Sequence, residues 1–373
     1  MKITDITYVP VVVGYKPEYQ HDLRFYPKPP AQSNVVVTIH TDEGVFGIGE
    51  APNTPGLYGE NENHTIAGIE YFKPYLIGRD PVELTALNAE MDRLSPIGNH
   101  AAKVGIDMAL HDLAGKALGV PVYQLLGGRV HDKVVTHISP ATYEETSAQV
   151  SKLMAQGYRI FKQKMSGNTE YDLRLVHALL DQVPLDVTIS LDVNQGWSTT
   201  QTLRILGELE RRPQFPTNII IEQPTHAADF AGQAYIRRHT QIPLLLDDGI
   251  RTADDLRKIF DLGAADIVSL KMSRVGGIQK CRQMIHMAEA ANVSYIVDEI
   301  NDMRIANTAV AHLAVASRRP LYTGVTCHTL LEFDIVGRGG VQLVDGCAIV
   351  PDGPGLGIEE VRYPDAVPAG GSR

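Results

Sequence analysis

Short, continuous apolar runs recur along the second half of the chain, separated by segments in which apolar residues return every three or four positions. A continuous apolar run is typical of a strand buried on both faces, and the longer spacing is typical of an amphipathic helix. The runs begin roughly every 25 to 30 residues, which is the size of a strand–helix unit. They predict eight strands: Val134–Ser139, Ile160–Met165, Val187–Val193, Asn218–Gln223, Leu244–Asp248, Ile267–Met272, Tyr295–Glu299 and Leu321–Val325.

Two of the intervening segments predict helices with one apolar face. Thr169 is a plausible N-cap for the first, with Asp172 three residues later. The second helix runs from Ile278 through Cys281 and Ile285 to Ala288. Because strand–helix–strand connections are right-handed, eight strands with helical crossovers favour a closed (β/α) barrel over an open sheet.

The first part of the chain has a different pattern. Alternating apolar and polar residues predict strands at Ile3–Val13, Asn34–His40 and Val45–Glu50, which form an antiparallel meander. Helical spacing follows from about Thr65 to Leu126. Two segments without periodicity are predicted to be either surface loops or active-site lids: Gly14–Ser33 and Ala51–Asn61. A third, the turn-rich tail Glu332–Arg373, is expected to pack against the N-terminal region.

Charge and cysteine content narrow the classes of function. The 373 residues carry a formal net charge of -10, with an isoelectric point near 5.7, which argues against a nucleic-acid surface. The three cysteines are widely spaced and predict neither a disulfide framework nor a zinc site; Cys281 is expected in the core. The N-terminal residues lack the apolar segment of a signal peptide or membrane span, so we expect a cytoplasmic protein without a membrane partner.

Three carboxylates lie at the ends of consecutive apolar runs, where a buried strand should avoid charge: Asp192, Glu222 and Asp247. In a parallel barrel these strand ends meet at one face, so the carboxylates should converge and repel each other. A hard divalent cation resolves the repulsion, and all-oxygen ligation suits Mg²⁺, with Mn²⁺ as a substitute. Salt bridges or helix N-caps are the alternative. Asp248 is a competing third ligand, but an extended strand should turn it away from Asp247.

Three lysines lie at the ends of other runs. Lys162 and Lys164 are two residues apart on one strand, so they share a face, with Cα atoms about 6.5 to 7 Å apart. A second ammonium, a metal ion and partial burial would each disfavour the charged form of Lys164 and favour a general base. Lys271 arrives four strands later, from the far side. Two lysines on opposite sides of a metal suggest an acid/base pair for removing a proton α to a carboxylate.

These residues resemble the enolase superfamily, and within it the muconate-lactonizing (muconate cycloisomerase) subgroup of the mandelate racemase-like enzymes. The resemblance rests on AKVGIDMALHDLAGKALGVPVYQLLGG ending at Gly128, on KQK at Lys162–Lys164, and on DVNQGW, EQP, DDG and SLKMSRVGG, in this order along most of the chain. It implies a modified (β/α)8 fold, that is, a (β/α)7β TIM-type barrel, with an α+β capping domain. The implied domains are 1–128, completed by the tail 332–373, and the barrel 129–331.

The resemblance also implies roles for individual residues. Asp192, Glu222 and Asp247 would bind Mg²⁺, Lys164 and Lys271 would be the acid/base pair, and Lys162 would tune Lys164. Asn194 would orient the metal ligands. The two loops would select the substrate, with four candidate residues: Lys16, His21, Arg24 and Tyr58. Asp248 departs from the glutamate usual in this subgroup, and Asp298 and Glu299, at the end of the seventh run, could contact substrate or form salt bridges.

The leading functional hypothesis is a Mg²⁺-dependent, muconate cycloisomerase-like isomerase that acts on a small carboxylate. A racemase or epimerase of an amino-acid derivative (an N-acyl amino acid, a dipeptide or a proline derivative) is the alternative, and a syn-dehydratase remains open. A Schiff-base aldolase using Lys271, and a barrel that only binds metal, are remote possibilities. A homo-oligomer, either a dimer or an octamer, is expected from the resemblance alone.

Overall fold

The N-terminal region begins with an antiparallel sheet. In the structure, a computed structural model, residues 1–19, 31–53, 55–140, 146–300 and 302–364 are described, without the side chains of residues 18, 57, 58 and 146–148. The sheet has the order β1 (Ile3–Gly14), β2 (Ala31–Thr41) and β3 (Phe46–Pro52). This is the predicted meander, in which β2 pairs with both neighbours.

Five helices follow the sheet: α1 (Pro55–Tyr58), α2 (Glu62–Leu76), α3 (Leu84–Leu94), α4 (His100–Leu118) and α5 (Val122–Leu125). Helices α2 and α4 pack on its strands. The long helix α4 is buried along most of its length and packs directly on β3. Close approach requires glycine in the strand, because a Cβ on Gly49 would lie 2.1 Å from the carbonyl oxygen of Gly105. The helix and the sheet therefore form a second apolar core, separate from the core of the barrel.

Seven strands form a parallel sheet in the order β11-β10-β9-β8-β7-β6-β5. In chain order the elements are β4 (Val134–Val135), α6 (Thr146–Ala155), β5 (Ile160–Lys164), α7 (Thr169–Gln182), β6 (Thr188–Asp192), α8 (Thr199–Glu210), β7 (Ile219–Glu222), α9 (Phe230–Arg238), β8 (Leu244–Leu246), α10 (Ala253–Leu262), β9 (Ile267–Lys271), α11 (Met272–Val275), α12 (Ile278–Ala290), β10 (Ser294–Asp298), α13 (Arg304–Ala316) and β11 (Pro320–Thr323).

The segment after β4 closes the barrel. Thr136 makes a parallel bridge to Thr323 of β11, and Ile138 makes one to Phe161 of β5. An α-helix follows each of the first seven strands of the barrel, and no α-helix follows β11 in the described residues up to 364, so the fold is the predicted (β/α)7β barrel. The first stave has less regular strand than the apolar run Val134–Ser139 predicts, because its beginning pairs with a strand of the tail instead.

The sequence predicts the boundaries of helix α12 better than the first residue of helix α7. Helix α12 buries the predicted face, including Cys281, and coincides with the predicted segment. The N-cap of α7, in contrast, is Asn168 and not Thr169, because the Asn168 side chain accepts hydrogen bonds from the amides of Glu170 and Tyr171. Asp172 is buried, and it accepts hydrogen bonds from Ser166 and the indole of Trp197. In the described residues no helix is both long and apolar enough to cross a membrane.

The tail forms β12 (Val336–Gly339), β13 (Gln342–Val344), β14 (Cys347–Ile349) and β15 (Ile358–Val361), with 3-10 helices elsewhere at Pro17–Tyr19 and Cys327–Leu330. Strand β14 pairs with β4 of the barrel. The tail also reaches the N-terminal region, because the amide of Leu356 donates to Asp112 of α4, and the amide of Glu332 donates to Gly14 of β1.

Two buried carboxylates of the N-terminal region contact the beginnings of barrel helices. Glu50 in β3 accepts hydrogen bonds from the amides of Met303 (2.7 Å) and Ala306 (2.9 Å), at the N-terminus of α13. Asp107 in α4 accepts one from the amide of Ile278 (2.6 Å), the first residue of α12. A carboxylate at a helix N-terminus satisfies unpaired amides and is favoured by the helix dipole. These contacts fix the N-terminal region over the barrel.

Candidate active site

The C-terminal ends of the barrel strands place charged residues on the inner face. Inward positions alternate along a strand, so Glu222 lies on the same face as Ile220, which packs in the barrel interior with Leu245, Ile267, Ile296 and Tyr322. The strand register aligns Lys164 with Asp192 and Asp192 with Glu222. By the same alternation, Asp298 lies on the inner face with Ile296. The register of β10 and β9 places Asp298 opposite Lys271.

The predicted metal ligands are all buried but do not form one group by themselves. Among the described residues, the carboxylates whose oxygens all lie within 4.8 Å of one another are Glu222, Asp247 and Asp298. Asp192 instead accepts a hydrogen bond from Lys164 Nζ at 2.5 Å and one from the amide of Asn194 at 3.0 Å. The structure therefore adds Asp298 to the acidic cluster.

Asp298 is the most highly connected carboxylate of the site. Its Oδ2 accepts hydrogen bonds from Lys162 Nζ (3.0 Å) and Ser269 Oγ (3.1 Å), and it lies 3.6 Å from Lys271 Nζ. Its Oδ1 lies 3.0 Å from His137 Nε2. Burial alone would raise the pKa of Asp298, but Lys162 and Lys271 outweigh burial and hold the pKa well below its ordinary value.

Glu222 shows the opposite balance. Burial and the neighbouring charge of Asp192 raise the pKa of Glu222 to about 7, although Lys162 Nζ lies 3.0 Å from its Oε1. Four acidic side chains therefore share a buried space in which at least one of them is close to binding a proton. This set of carboxylate oxygens fits a divalent hard cation. Within the described residues the donor set thus fits Mg²⁺, and it offers one more carboxylate than the sequence predicts.

The surrounding carboxylates favour the charged forms of Lys271 and Lys162. Lys271 Nζ lies 2.7 Å from Asp247 Oδ2, and burial, which lowers its pKa, is outweighed by Asp247 and Asp298, which raise the pKa well above the ordinary value. Burial likewise opposes the charge of Lys162, but Asp298 and Glu222 raise its pKa well above the ordinary value. Lys164 also donates to the Oδ1 of Asn194 at 3.0 Å, so the predicted orienting residue contacts both Lys164 and Asp192.

Arg274 is a member of the site that the sequence analysis missed. Its guanidinium Nη2 lies 2.6 Å from Asp247 Oδ1. Burial would raise the pKa of Asp247, but Arg274 and Lys271 lower it. A charged residue three positions after Lys271, in the motif SLKMSRVGG, could have suggested this contact, because α11 begins at Met272 and turns Arg274 back toward the strand end.

The other supporting residues are placed as follows. Asp248 accepts a hydrogen bond from Gln195 Nε2 at 3.0 Å, and no hydrogen bond joins it to Lys271 in the described part of the chain. Glu299 Oε1 accepts hydrogen bonds from the amides of Thr326 and Cys327, both at 2.7 Å. Burial and the charge of Asp298 raise the pKa of Glu299 to about 7.

The loop candidates are only partly described. Lys16 Nζ donates to the carbonyl oxygen of Thr329 at 2.7 Å, which connects the first loop to the segment after β11. His21 and Arg24 lie outside the described residues. Tyr58 ends the short helix α1, and its side chain is outside them too.

A closed (β/α)7β barrel with buried carboxylates and lysines at the C-terminal strand ends is typical of barrel enzymes with their active site at this face. Two family matches agree with this assignment. Residues 145–362 match the family described as "Enolase C-terminal domain-like". Residues 29–127 match the family described as "Mandelate racemase / muconate lactonizing enzyme, N-terminal domain". The chain therefore belongs to the enolase superfamily and is an enzyme of its mandelate racemase/muconate lactonizing branch.

Individual relatives cover almost the whole chain. The N-succinyl-L-Arg/Lys racemase of Bacillus cereus is 34% identical over 87% of this chain and 87% of the relative. Muconate cycloisomerase 1 of Pseudomonas putida is 30% identical over 88% of each. The structure of the L-Ala-D/L-Glu epimerase of Bacillus subtilis, in a substrate-liganded complex, has a TM-score of 0.90 at 27% identity and covers 97% of this chain and 100% of that chain.

Proposed function

We propose that this enzyme is a Mg²⁺-dependent racemase or epimerase of an amino-acid derivative, such as an N-acyl amino acid, a dipeptide or a proline derivative. The observation that carries the proposal is the placement of Lys164 and Lys271 at the ends of β5 and β9, four staves apart in a closed barrel of eight. Two opposed amines can each reach one face of an α-carbon between them, which is what inversion of configuration requires.

The relatives favour this alternative over the muconate cycloisomerase-like activity that the sequence pattern put first. The racemase of Bacillus cereus is 34% identical to this chain, against 30% for the muconate cycloisomerase. The epimerase structure of Bacillus subtilis has a TM-score of 0.90, against 0.86 for a structure of muconate lactonizing enzyme. We therefore place cycloisomerisation second. Another relative is a cis-3-hydroxy-L-proline dehydratase, so dehydration is a third outcome that the experiment below must distinguish.

Glu222 and Asp247 would hold the metal, with Asp192 as the third ligand. Asp192 has one cationic partner, Lys164, whereas Asp298 has Lys162, His137 and Ser269, all of which it would have to release. When bound, Mg²⁺ neutralises negative charge that develops on the substrate carboxylate as the α-proton leaves. Arg274 would hold the Asp247 carboxylate in place, and Asp298 would keep Lys162 charged beside the reacting centre.

The lysines would exchange the proton with the substrate. In one direction Lys164 Nζ accepts the α-proton, and Lys271 Nζ donates a proton to the opposite face; in the other direction the roles reverse. A cycloisomerase needs only one of these transfers. The hydrogen bonds from Lys164 to Asp192 and from Lys271 to Asp247 orient the two amines. Each of these carboxylates would also lie next to the substrate carboxylate that the metal holds.

We also propose that residues 1–128, completed by the tail 332–373, form one capping unit over the barrel 129–331. The contacts of Glu50 and Asp107 with α13 and α12, and the hydrogen bonds that join the tail to α4 and β1, support this division. The first loop would then lie above the strand ends, where Lys16 reaches Thr329.

The test is exchange and inversion in heavy water. The enzyme with Mg²⁺ is incubated with N-acyl amino acids, dipeptides, proline derivatives and muconates, and NMR and chiral analysis follow the α-position. We expect deuterium at the α-carbon together with inversion for at least one amino-acid derivative. Lactone formation from a muconate without any α-exchange would overturn the proposal, and loss of water would indicate a dehydratase. Borohydride trapping of a carbonyl substrate on Lys271 would support the aldolase instead.

A further inference from the structure

Three buried carboxylic acids lie together beside the catalytic face of the barrel, on the side of β10. Glu299 directly follows β10, Asp302 precedes α13, and Glu50 comes from β3 of the N-terminal sheet. Their exposed fractions are 4% for Glu299 and 0% for Asp302 and Glu50. Burial, and then the charges of Glu50 and Glu299, raise the pKa of Asp302 well above its ordinary value, so the three groups are close enough to repel one another.

The three acids differ in their hydrogen bonds. Glu50 is fully engaged, by Asn34 and by the amides at the start of α13. Two amides donate to Glu299 Oε1, and the side chain of Cys327 also favours its charged form, but Oε2 has no hydrogen-bond partner among the described residues. Neither oxygen of Asp302 has one there either, and the amide of Ile300 favours its charged form without a hydrogen bond of normal geometry. Three buried acceptor oxygens therefore have no hydrogen-bond donor among the described residues.

The cations nearby in the chain are engaged elsewhere. Lys162 and Lys271 contact Asp298, and Arg304 lies 2.5 Å from Asp334. Lys16 donates to a backbone carbonyl. In the part of the chain that the structure describes, none of these side chains forms an ion pair with Glu299 or Asp302. A buried carboxyl group without a hydrogen-bond donor destabilises the fold. Two such groups at one site suggest that a bound ligand supplies the donors.

We propose that Glu299 Oε2 and the Asp302 carboxylate form a subsite for a positively charged, hydrogen-bond-donating group of the substrate, an ammonium or a guanidinium. In addition to burial, the charge of Asp298 raises the pKa of both Glu299 and Asp302, and Asp298 Oδ2 lies 3.6 Å from the amine of Lys271, so the subsite lies beside the reacting centre. A cation with several N–H donors satisfies all three free oxygens and neutralises the charge that the acids share. This inference rests on the proposed function, because it names the substrate class of the same site.

Matched substrate pairs test the subsite in the unmodified enzyme. Each pair keeps the substrate carboxylate and has one member with a cationic group and one member in which a neutral group of similar shape replaces it: N-succinyl-L-arginine with N-succinyl-L-citrulline, L-Ala-L-norleucine with L-lactoyl-L-norleucine, and L-proline with tetrahydrofuran-2-carboxylate. We expect α-deuterium exchange with kcat/KM about tenfold or more higher for the cationic member of every pair that reacts. Equal or faster exchange of the neutral members overturns the subsite and leaves the proposed function standing. No exchange in any pair overturns the proposed function and this inference with it.

The isosteric variant Asp302→Asn locates the preference. We expect it to lower kcat/KM for the cationic member about tenfold or more, mainly through KM, and to leave the neutral member within about twofold. The control is Glu332→Gln, which removes an exposed carboxylate at the beginning of the tail and should preserve the preference. A uniform loss for both members, or an unchanged preference in Asp302→Asn, overturns the assignment to Asp302. If that variant does not fold, Glu299→Gln replaces it, with the same expected loss of preference.

Discussion

His137 Nε2 lies 3.0 Å from Asp298 Oδ1, so the first and seventh staves of the barrel are joined beside the lysine pair. The Oδ2 of Asp298 also accepts hydrogen bonds from Lys162 Nζ and Ser269 Oγ. A carboxylate with three donors has its charge compensated by the protein, whereas the described residues give the Asp192 carboxylate two donors, Lys164 and the amide of Asn194. This difference separates two acids that the sequence makes equally plausible as metal ligands, and it makes Asp298 a fixed counter-charge.

The first prediction compares the two acids directly. Asp192→Asn should weaken Mg²⁺ affinity about tenfold or more, because it removes a ligand charge. Asp298→Asn should change Mg²⁺ affinity by less than about threefold but lower turnover, because Lys162 loses its partner. Calorimetric titration with Mg²⁺, repeated with Mn²⁺, measures both affinities. The reverse ranking would make Asp298 the third ligand, as its place in the acidic cluster allows.

A second prediction concerns Gly324, at the end of β11. A Cβ at this position would lie 1.9 Å from Asp298 Oδ1 and 2.5 Å from His137 Nε2, so Gly324→Ala must separate this pair. We expect a loss of kcat of about tenfold or more and a destabilisation of about 1 to 3 kcal/mol. Gly353→Ala is the matched control, because its Cβ would meet its nearest neighbour at 3.5 Å. Equal kcat values in the two variants would show that the His137–Asp298 contact does not matter for turnover.

The sequence predicts which residues point into the barrel, because alternation along a strand determines this. It does not predict contacts between residues of different helices and strands. Asp192, Glu222, Asp247, Lys164 and Lys271 end apolar runs, so their convergence follows from the barrel. The contact of Arg274 with Asp247 needs the short helix α11, which no periodicity in four residues can reveal. The links from Asp298 to His137 and Lys162 need the closed barrel, since they join its first, second and seventh staves.

The third prediction tests the opposed lysines. In Lys164→Ala, exchange of the α-proton should fall about a thousandfold for one enantiomer of the substrate and persist, without inversion, for the other. Lys271→Ala should show the opposite preference. Deuterium incorporation into each pure enantiomer, followed by NMR, measures this, with Lys258→Ala on the exposed surface of α10 as the control. Loss of exchange for the same enantiomer in both variants would be incompatible with two bases on opposite faces.

The last prediction is the pH dependence of stability that Glu50 confers. Burial raises the pKa of Glu50 to about 7, above its ordinary value of 4.5, even though amides at the start of α13 donate to it. Between these two values the folded protein binds more protons at Glu50 than the unfolded chain, so rising pH lowers stability there and has no further effect above the folded pKa.

In Glu50→Gln the residue no longer titrates. The difference in unfolding free energy between the unmodified protein and the variant should therefore decline by up to about 3 kcal/mol as pH rises through this window, and then level off. Urea unfolding at a series of pH values measures it, with Glu332→Gln as the exposed control. A difference that is constant with pH would mean that Glu50 remains ionised in the fold, with the amides of α13 compensating its burial in full.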